Sequence, residues 1–271
     1  MMFIADRAFR IKRFFLGRAR VRRTQLYCVG TPKSGTHSVR SMFSRNVAAR
    51  HEPQAPRLIE MFFNHHERRL GDDEWRQWLR ARDRQLALEV DSSWLNVLLL
   101  DFLVAEFPGA RFLLTIRDCY SWSNSEFRRV LHNPSQKPQR IRMRTFLYER
   151  GERVHSPAEG VLKDTGLQPL ENYLSLWAEH NEKVLATVPP ERLLVARTDQ
   201  IRERAFEIAD FAGLPRYTIR LDRTHEYRNP VRREIIREID RDFLESKVAE
   251  HCRPLMNRFF PEIKTLADAK L

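Results

Sequence analysis

Residues 25–42 read Gln25-Leu-Tyr-Cys-Val-Gly30-Thr-Pro-Lys-Ser-Gly-Thr-His37-Ser-Val-Arg-Ser-Met42, and this stretch decides the fold. Residues 25–29 are a short β-prone run, 30–35 form a turn, and Val39, Met42, Phe43 and Val47 recur at helical spacing. A strand, a tight loop and a helix make a half-unit of an α/β fold. The loop's backbone N–H groups can converge on an anion at the helix N-terminus, where the dipole also favours negative charge. A nucleoside triphosphatase loop needs Lys after its second Gly, whereas here Lys33 precedes Gly35 and His37 holds the position of that Lys.

Outward from the loop, strand and helix patterns keep alternating. Asp72 and Asp73 are expected to cap a helix towards Arg84, 86–90 reads as a buried strand ending at Asp91, and 94–107 as a helix broken by Pro108-Gly109. The clearest buried strand is 110–116, followed by a helix over 120–131. A helix over 167–187 leads to a strand at 192–196, and Thr198 is expected to cap a helix closing at Gly213. This alternation predicts an α/β fold: one domain over 24–271, a central parallel sheet flanked by helices, with a P-loop-like phosphate site. Residues 1–23 form a basic N-terminal segment. Residues 133–166, rich in Pro, Gly and Arg, read as an insertion over the sheet edge, either a lid or a variable surface loop.

The 271 residues are 42% hydrophobic and 31% charged, a globular balance, and the apolar runs are too short to span a membrane. Arginines interrupt each apolar stretch of 1–23, which excludes a secretory signal there, and Cys28, Cys119 and Cys252 suit neither a disulfide framework nor a metal cluster. A reducing cytoplasm is the expected location. The net charge is +12, and 40 of the 48 basic residues are arginine, whose planar fork reads phosphate and sulfate oxygens in pairs. An anionic partner is one reading; solvated helix faces are the other.

The run Pro32-Lys33-Ser34-Gly35-Thr36 resembles the 5′-phosphosulfate loop of the sulfotransferase family, which takes a sulfuryl group from 3′-phosphoadenosine 5′-phosphosulfate (PAPS). Arg117 after the strand and Ser125 eight residues on resemble the family's 3′-phosphate pair, and the adjacent Asp118 resembles its carbohydrate-modifying branch. A fainter likeness runs through Tyr173, Trp177, Asn181, Pro189, 192–195 and 211–214. Three departures accompany it. Cys119 stands where Pro is usual, Ser38 stands where small-phenol enzymes carry an aromatic, and their glycine-rich C-terminal cofactor motif is absent, with 224–230 at a comparable place.

The resemblance implies a metal-independent transferase using PAPS and releasing 3′,5′-bisphosphoadenosine. Pro32, Lys33, Ser34, Gly35, Thr36 and His37 would hold the 5′ end, and Arg117, Ser125 and Arg228 the 3′-phosphate. Lys33 would neutralise charge on the departing oxygen. The base that takes the acceptor's proton is expected just after the loop helix: Glu52 first, His51 second, with Asp91 an outsider. The remaining histidines show no metal-ligand spacing. The acceptor is expected to be a hydroxyl or amine of a carbohydrate, glycolipid or natural product, not nucleic acid. Residues 3–23 suit an amphipathic helix on an anionic membrane surface or packing on the domain's own core. Two other classes stay open: a non-catalytic basic protein binding nucleic acid or acidic membrane, and a nucleotide kinase with an aberrant loop.

Overall fold

A computed structural model describes residues 22–132, 136–151, 153–223 and 233–271. Five strands form one sheet in the order β2-β3-β1-β4-β5: β1 (Leu26–Cys28), β2 (Ala49–His51), β3 (Val90–Ser92), β4 (Arg111–Ile116) and β5 (Leu193–Arg197). All four pairings are parallel, so all carboxyl ends lie along one edge. Crossing helices cover both faces, as a parallel sheet requires. Strand alternation sorts the core. Leu26, Cys28, Val90, Leu113 and Ala196 face one way, packing with α1 (Thr36–Met42) and α9 (Ala205–Ala212). Tyr27, Phe112, Leu114 and Ile116 face the other, against α2 (Ala55–His66), α4 (Leu100–Glu106), α5 (Cys119–His132) and α8 (Leu170–Thr187).

The single α/β domain with a parallel sheet matches the sequence reading, and several boundaries move. Helix α3 (Asp72–Leu86) starts on Gly71, whose N–H is taken by Glu74 at 3.0 Å, so Asp72 and Asp73 lie in its first turn instead of capping it. It runs through Leu86 and stops at Ala87, in left-handed backbone at φ 45°. The strand expected over 86–90 is therefore only Val90–Ser92. Glu89, fully buried, is held by Arg23 at 2.6 Å and the Ala48 N–H at 2.8 Å. Residues 94–107 divide into a 3-10 stretch, Trp94–Leu99, and α4. Thr198 opens a 3-10 turn, Thr198–Gln200, and its side chain caps no helix.

Residues 133–166 hold two helices, α6 (Pro138–Tyr148) and α7 (Gly160–Asp164). Met143, Leu147 and Tyr148 of α6 are buried; Phe146 packs edge-on to Phe63 and Phe62 of α2, and Arg142 stacks 4.0 Å over Phe63. Towards the C-terminus α10 (Arg241–His251) packs against α8, and α11 (Arg253–Phe259) against α10. No helix among the described residues is long and apolar enough to cross a membrane. The membrane contact expected of 1–23 falls outside the described residues except for Arg22 and Arg23, which pair with Asp83 and Glu89. Arg228 also lies outside them.

Candidate active site

The chain leaves β1 towards β2 on one side of the sheet and leaves β4 towards β5 on the other. A crevice therefore opens beyond the carboxyl ends of β1 and β4, where parallel α/β sheets bind ligands. The loop 30–37 and Arg117 both stand there. The loop is shaped by neighbours rather than by its own composition. A Cβ on Gly30 would lie 2.0 Å from the Thr115 hydroxyl and 2.5 Å from its carbonyl oxygen, so β4 presses directly on the turn. Lys33 at φ 63° and Gly35 at φ 100° take left-handed backbone, which turns successive amides the same way before α1 begins. Ser34 is fully buried; its hydroxyl donates to Thr31 O at 2.7 Å and meets Thr115 Oγ1 at 2.9 Å. Its role is to tie the loop.

Three side chains distant in sequence fix the loop from outside. Trp122 of α5 donates its indole N–H to Pro32 O at 2.6 Å. The Thr198 hydroxyl is shared between Ser34 O at 2.6 Å and Ile116 O at 3.1 Å, and Ser92 of β3 donates to Thr36 O at 2.5 Å. His180 of α8 donates to Val29 O at 2.7 Å; burial lowers its imidazole to about 4, so it stays neutral.

Asp118 caps α5: its carboxylate accepts the Ser121 N–H at 2.8 Å and the Ser121 hydroxyl. Cys119 in place of the usual Pro leaves one further N–H, which meets Met256 Sδ at 3.4 Å. The Arg117 Nε donates to Ser121 Oγ at 2.9 Å, while Trp177 holds the Arg117 carbonyl at 2.9 Å. Ser121, Ser125 and Arg128 follow at i, i+4 and i+7, one stripe of α5. Trp122, Glu126 and Arg129 form the neighbouring stripe, behind the loop. Burial lowers Lys33 from the usual lysine range; Glu126 opposes this, and Arg129, Arg117 and Arg128 reinforce it. Burial likewise lowers Arg117, against the pull of Asp118 and with the push of Arg128. Lys33 and Arg117 thus share one crevice with the cations of α5, and Glu126 and Asp118 partly offset them. Ser121 and Arg128 were not among the residues expected from sequence, although their spacing from Ser125 is legible there.

On the other side of the loop, the His51 Nε2 meets Thr36 Oγ1 at 3.2 Å, and its ring lies 5.0 Å from that of His37. Burial holds His51 below the ordinary histidine value, with Glu52 opposing and His37, Arg140 and Arg40 assisting. Glu52 follows in left-handed backbone at φ 45°, and its carboxylate is paired with Arg140 of α6. Asp91 faces away from the loop. It sits opposite Tyr27 in the register, on the sheet face that α3 covers, and pairs at 3.1 Å with buried Arg82. Burial raises its carboxyl against that pull. The structure thus brings Pro32 to His37, Arg117 and Ser125 to one crevice with His51 beside it, and sends Asp91 elsewhere.

The model of the sulfotransferase domain family matches residues 25–201. The chain also superposes on the crystal structure of a sulfotransferase from Alicyclobacillus acidocaldarius with a TM-score of 0.51 at 14% identity, over 88% of this chain and 96% of that one. No curated protein matches. The family match spans both halves of the crevice, from the strand that leads into the loop to Ile201, which packs against Gly35. The chain belongs to the sulfotransferase domain family.

Proposed function

We propose that the protein moves a sulfuryl group from PAPS to a hydroxyl of a carbohydrate, glycolipid or natural-product acceptor. One observation carries this reading: Lys33, Arg117 and Arg128 converge on a loop of left-handed backbone at the switch point of the sheet. Cations at the loop and at the end of β4 suit two anionic ends, as in a donor phosphorylated at both 5′ and 3′. When bound, PAPS supplies the sulfuryl group and a bisphosphate leaving group.

The chain's own residues divide the work. Amides of 32–37 hold the 5′ end, a preorganised set of donors. Arg117 and Ser125 grip the 3′-phosphate, with Arg128 on the same stripe; a role for Arg228 rests on the family resemblance alone. Lys33 places its ammonium where negative charge grows on the departing oxygen. His51 is the better base: it is neutral at pH 7 and adjoins the loop through Thr36, whereas Glu52 must first part from Arg140.

Calorimetry tests the donor. The protein should bind 3′,5′-bisphosphoadenosine far more tightly than 5′-AMP or ATP. Arg117→Ala should weaken the bisphosphate by roughly ten- to a hundredfold and leave 5′-AMP nearly unchanged, as loss of one charge-assisted contact predicts. Equal affinity for the bisphosphate and 5′-AMP refutes the assignment. Transfer that stops when EDTA removes magnesium would favour the kinase.

A further inference from the structure

Behind the loop lies a charge cluster that the proposed chemistry does not use. Glu126 is wholly buried, and such a carboxylate needs partners. Arg129 supplies a two-pronged contact, its Nε at 2.8 Å from Oε2 and its second prong on Oε1. Tyr148, at the end of α6 and itself buried, donates its hydroxyl to the same Oε1. Tyr173 of α8 stacks near Tyr148, 4.9 Å between ring centres, and closes the far side.

Helical geometry says where this carboxylate stands. Trp122 is one turn before Glu126 on the same face of α5, and its indole touches Pro32 O, the residue next to Lys33. Glu126, one turn further along, lies on that same loop-facing stripe. The attraction is mutual: Glu126 is among the groups acting on Lys33, and Lys33 among those acting on Glu126. The other charges facing Lys33 are Arg117 at the end of β4 and Arg128 and Arg129 on α5, all cationic. Of these named charges, Glu126 attracts the ammonium and the arginines repel it.

We propose that Glu126 is a positioning residue for Lys33: clamped by Arg129 and Tyr148 on the helix stripe that touches the loop, its carboxylate holds the ammonium in place at the proposed anion site. This rests on the role given to Lys33 above. It also gives α6 a purpose beyond covering the sheet, because Tyr148 completes the clamp. A purely structural Glu126 would tie α5 to α6 and leave Lys33 indifferent to its charge.

The charge state of Lys33 can be read without any reaction. Trace acetic anhydride acetylates only neutral amines, and mass spectrometry of the Lys33 peptide across pH, in the intact protein, gives the midpoint of its deprotonation. Glu126→Gln should move that midpoint down by about one pH unit, since a compensating charge is removed. Arg129→Gln should move it up, because a repelling charge is lost while Glu126 remains. Opposite shifts are expected only from electrostatic control; general loosening would move both variants towards the ordinary lysine value. An unmoved midpoint in either folded variant, or shifts of the same sign, overturns the proposal. If Glu126→Gln does not fold, Glu126→Asp takes its place: withdrawing the carboxylate by one methylene should lower the midpoint, opposite to Arg129→Gln, and an unmoved or raised midpoint overturns the proposal. Protection of Lys33 from acetylation by 3′,5′-bisphosphoadenosine is measured alongside. Its absence with the shifts intact would sink the donor assignment and leave the clamp standing.

Discussion

The two sides of the crevice are built differently. The loop side is over-determined: Trp122, Thr198, Ser92 and Thr115 each touch it from a separate element, and Gly30 leaves no room for a Cβ. The turn after β2 is held more lightly. Glu52 and Gln54 both take left-handed backbone, Arg82 reaches Pro53 O at 3.0 Å, and the link to α6 is the Arg140 to Glu52 pair. Fixed dipoles are worth most where charge develops, so rigidity belongs with the donor. A surface that fits a particular acceptor can vary without disturbing the cradle.

Breaking this contrast should have graded effects. The largest should come from His51→Ala, which removes the proposed base: turnover should fall by about 10²–10⁴ while bisphosphate affinity in calorimetry changes little. Normal turnover would return the role to Glu52. Lys33→Ala should cost about 10²–10³ in turnover, again with a smaller loss of donor affinity, as expected for a charge most needed in the transition state. Equal losses in affinity and turnover would make Lys33 a simple binding residue.

Stability measurements probe the rigid side. His180 is neutral in the fold, at about 4, against an ordinary value near 6.5. Between those values the unfolded chain binds a proton that the native one does not, so stability present above pH 6.5 is lost as pH falls towards 4. The loss approaches about 3 kcal/mol. In His180→Gln, whose amide can still donate to Val29 O, urea midpoints should lose that part of their pH dependence. Gly30→Ala should destabilise by ~1–3 kcal/mol through the collision with Thr115. The smallest effect should come from Arg140→Ala. It frees Glu52, and a change of a few-fold in acceptor KM with donor binding intact would mark the lighter side as adjustable.

The sequence made the loop and the β4 to α5 turn legible because each is local: a few consecutive residues set backbone and cap together. Arg117 and Ser125 could be named because a strand end and a helix face fix where they point. The contacts that hold the loop were out of reach. Thr198 reads as a helix cap, a Thr before a helical pattern, but its hydroxyl is spent 164 residues away on Ser34. The segment 86–90 reads as a strand by its apolar residues, yet Glu89 is bound by groups from 23 and 48, which hold it outside the strand. The different settings of Glu52 and His51 were likewise out of reach, since only the fold sets Arg140 against one and Thr36 against the other. Glu126 looked like an ordinary helix residue and Tyr148, 22 positions on, fell in the stretch read as an insertion, until α5 and α6 met.

The Thr198 hydroxyl has a consequence for the order in which the site comes into being. During synthesis the loop residues emerge early, followed by the strand that carries Arg117, but the group that clasps Ser34 O and Ile116 O together is more than eighty residues further on. Ile201, which packs on Gly35, arrives later still. A nascent chain that has already made this loop therefore holds it without that clasp. The turn after the edge strand β5, far from the motif that gives the family its signature, fastens the loop late.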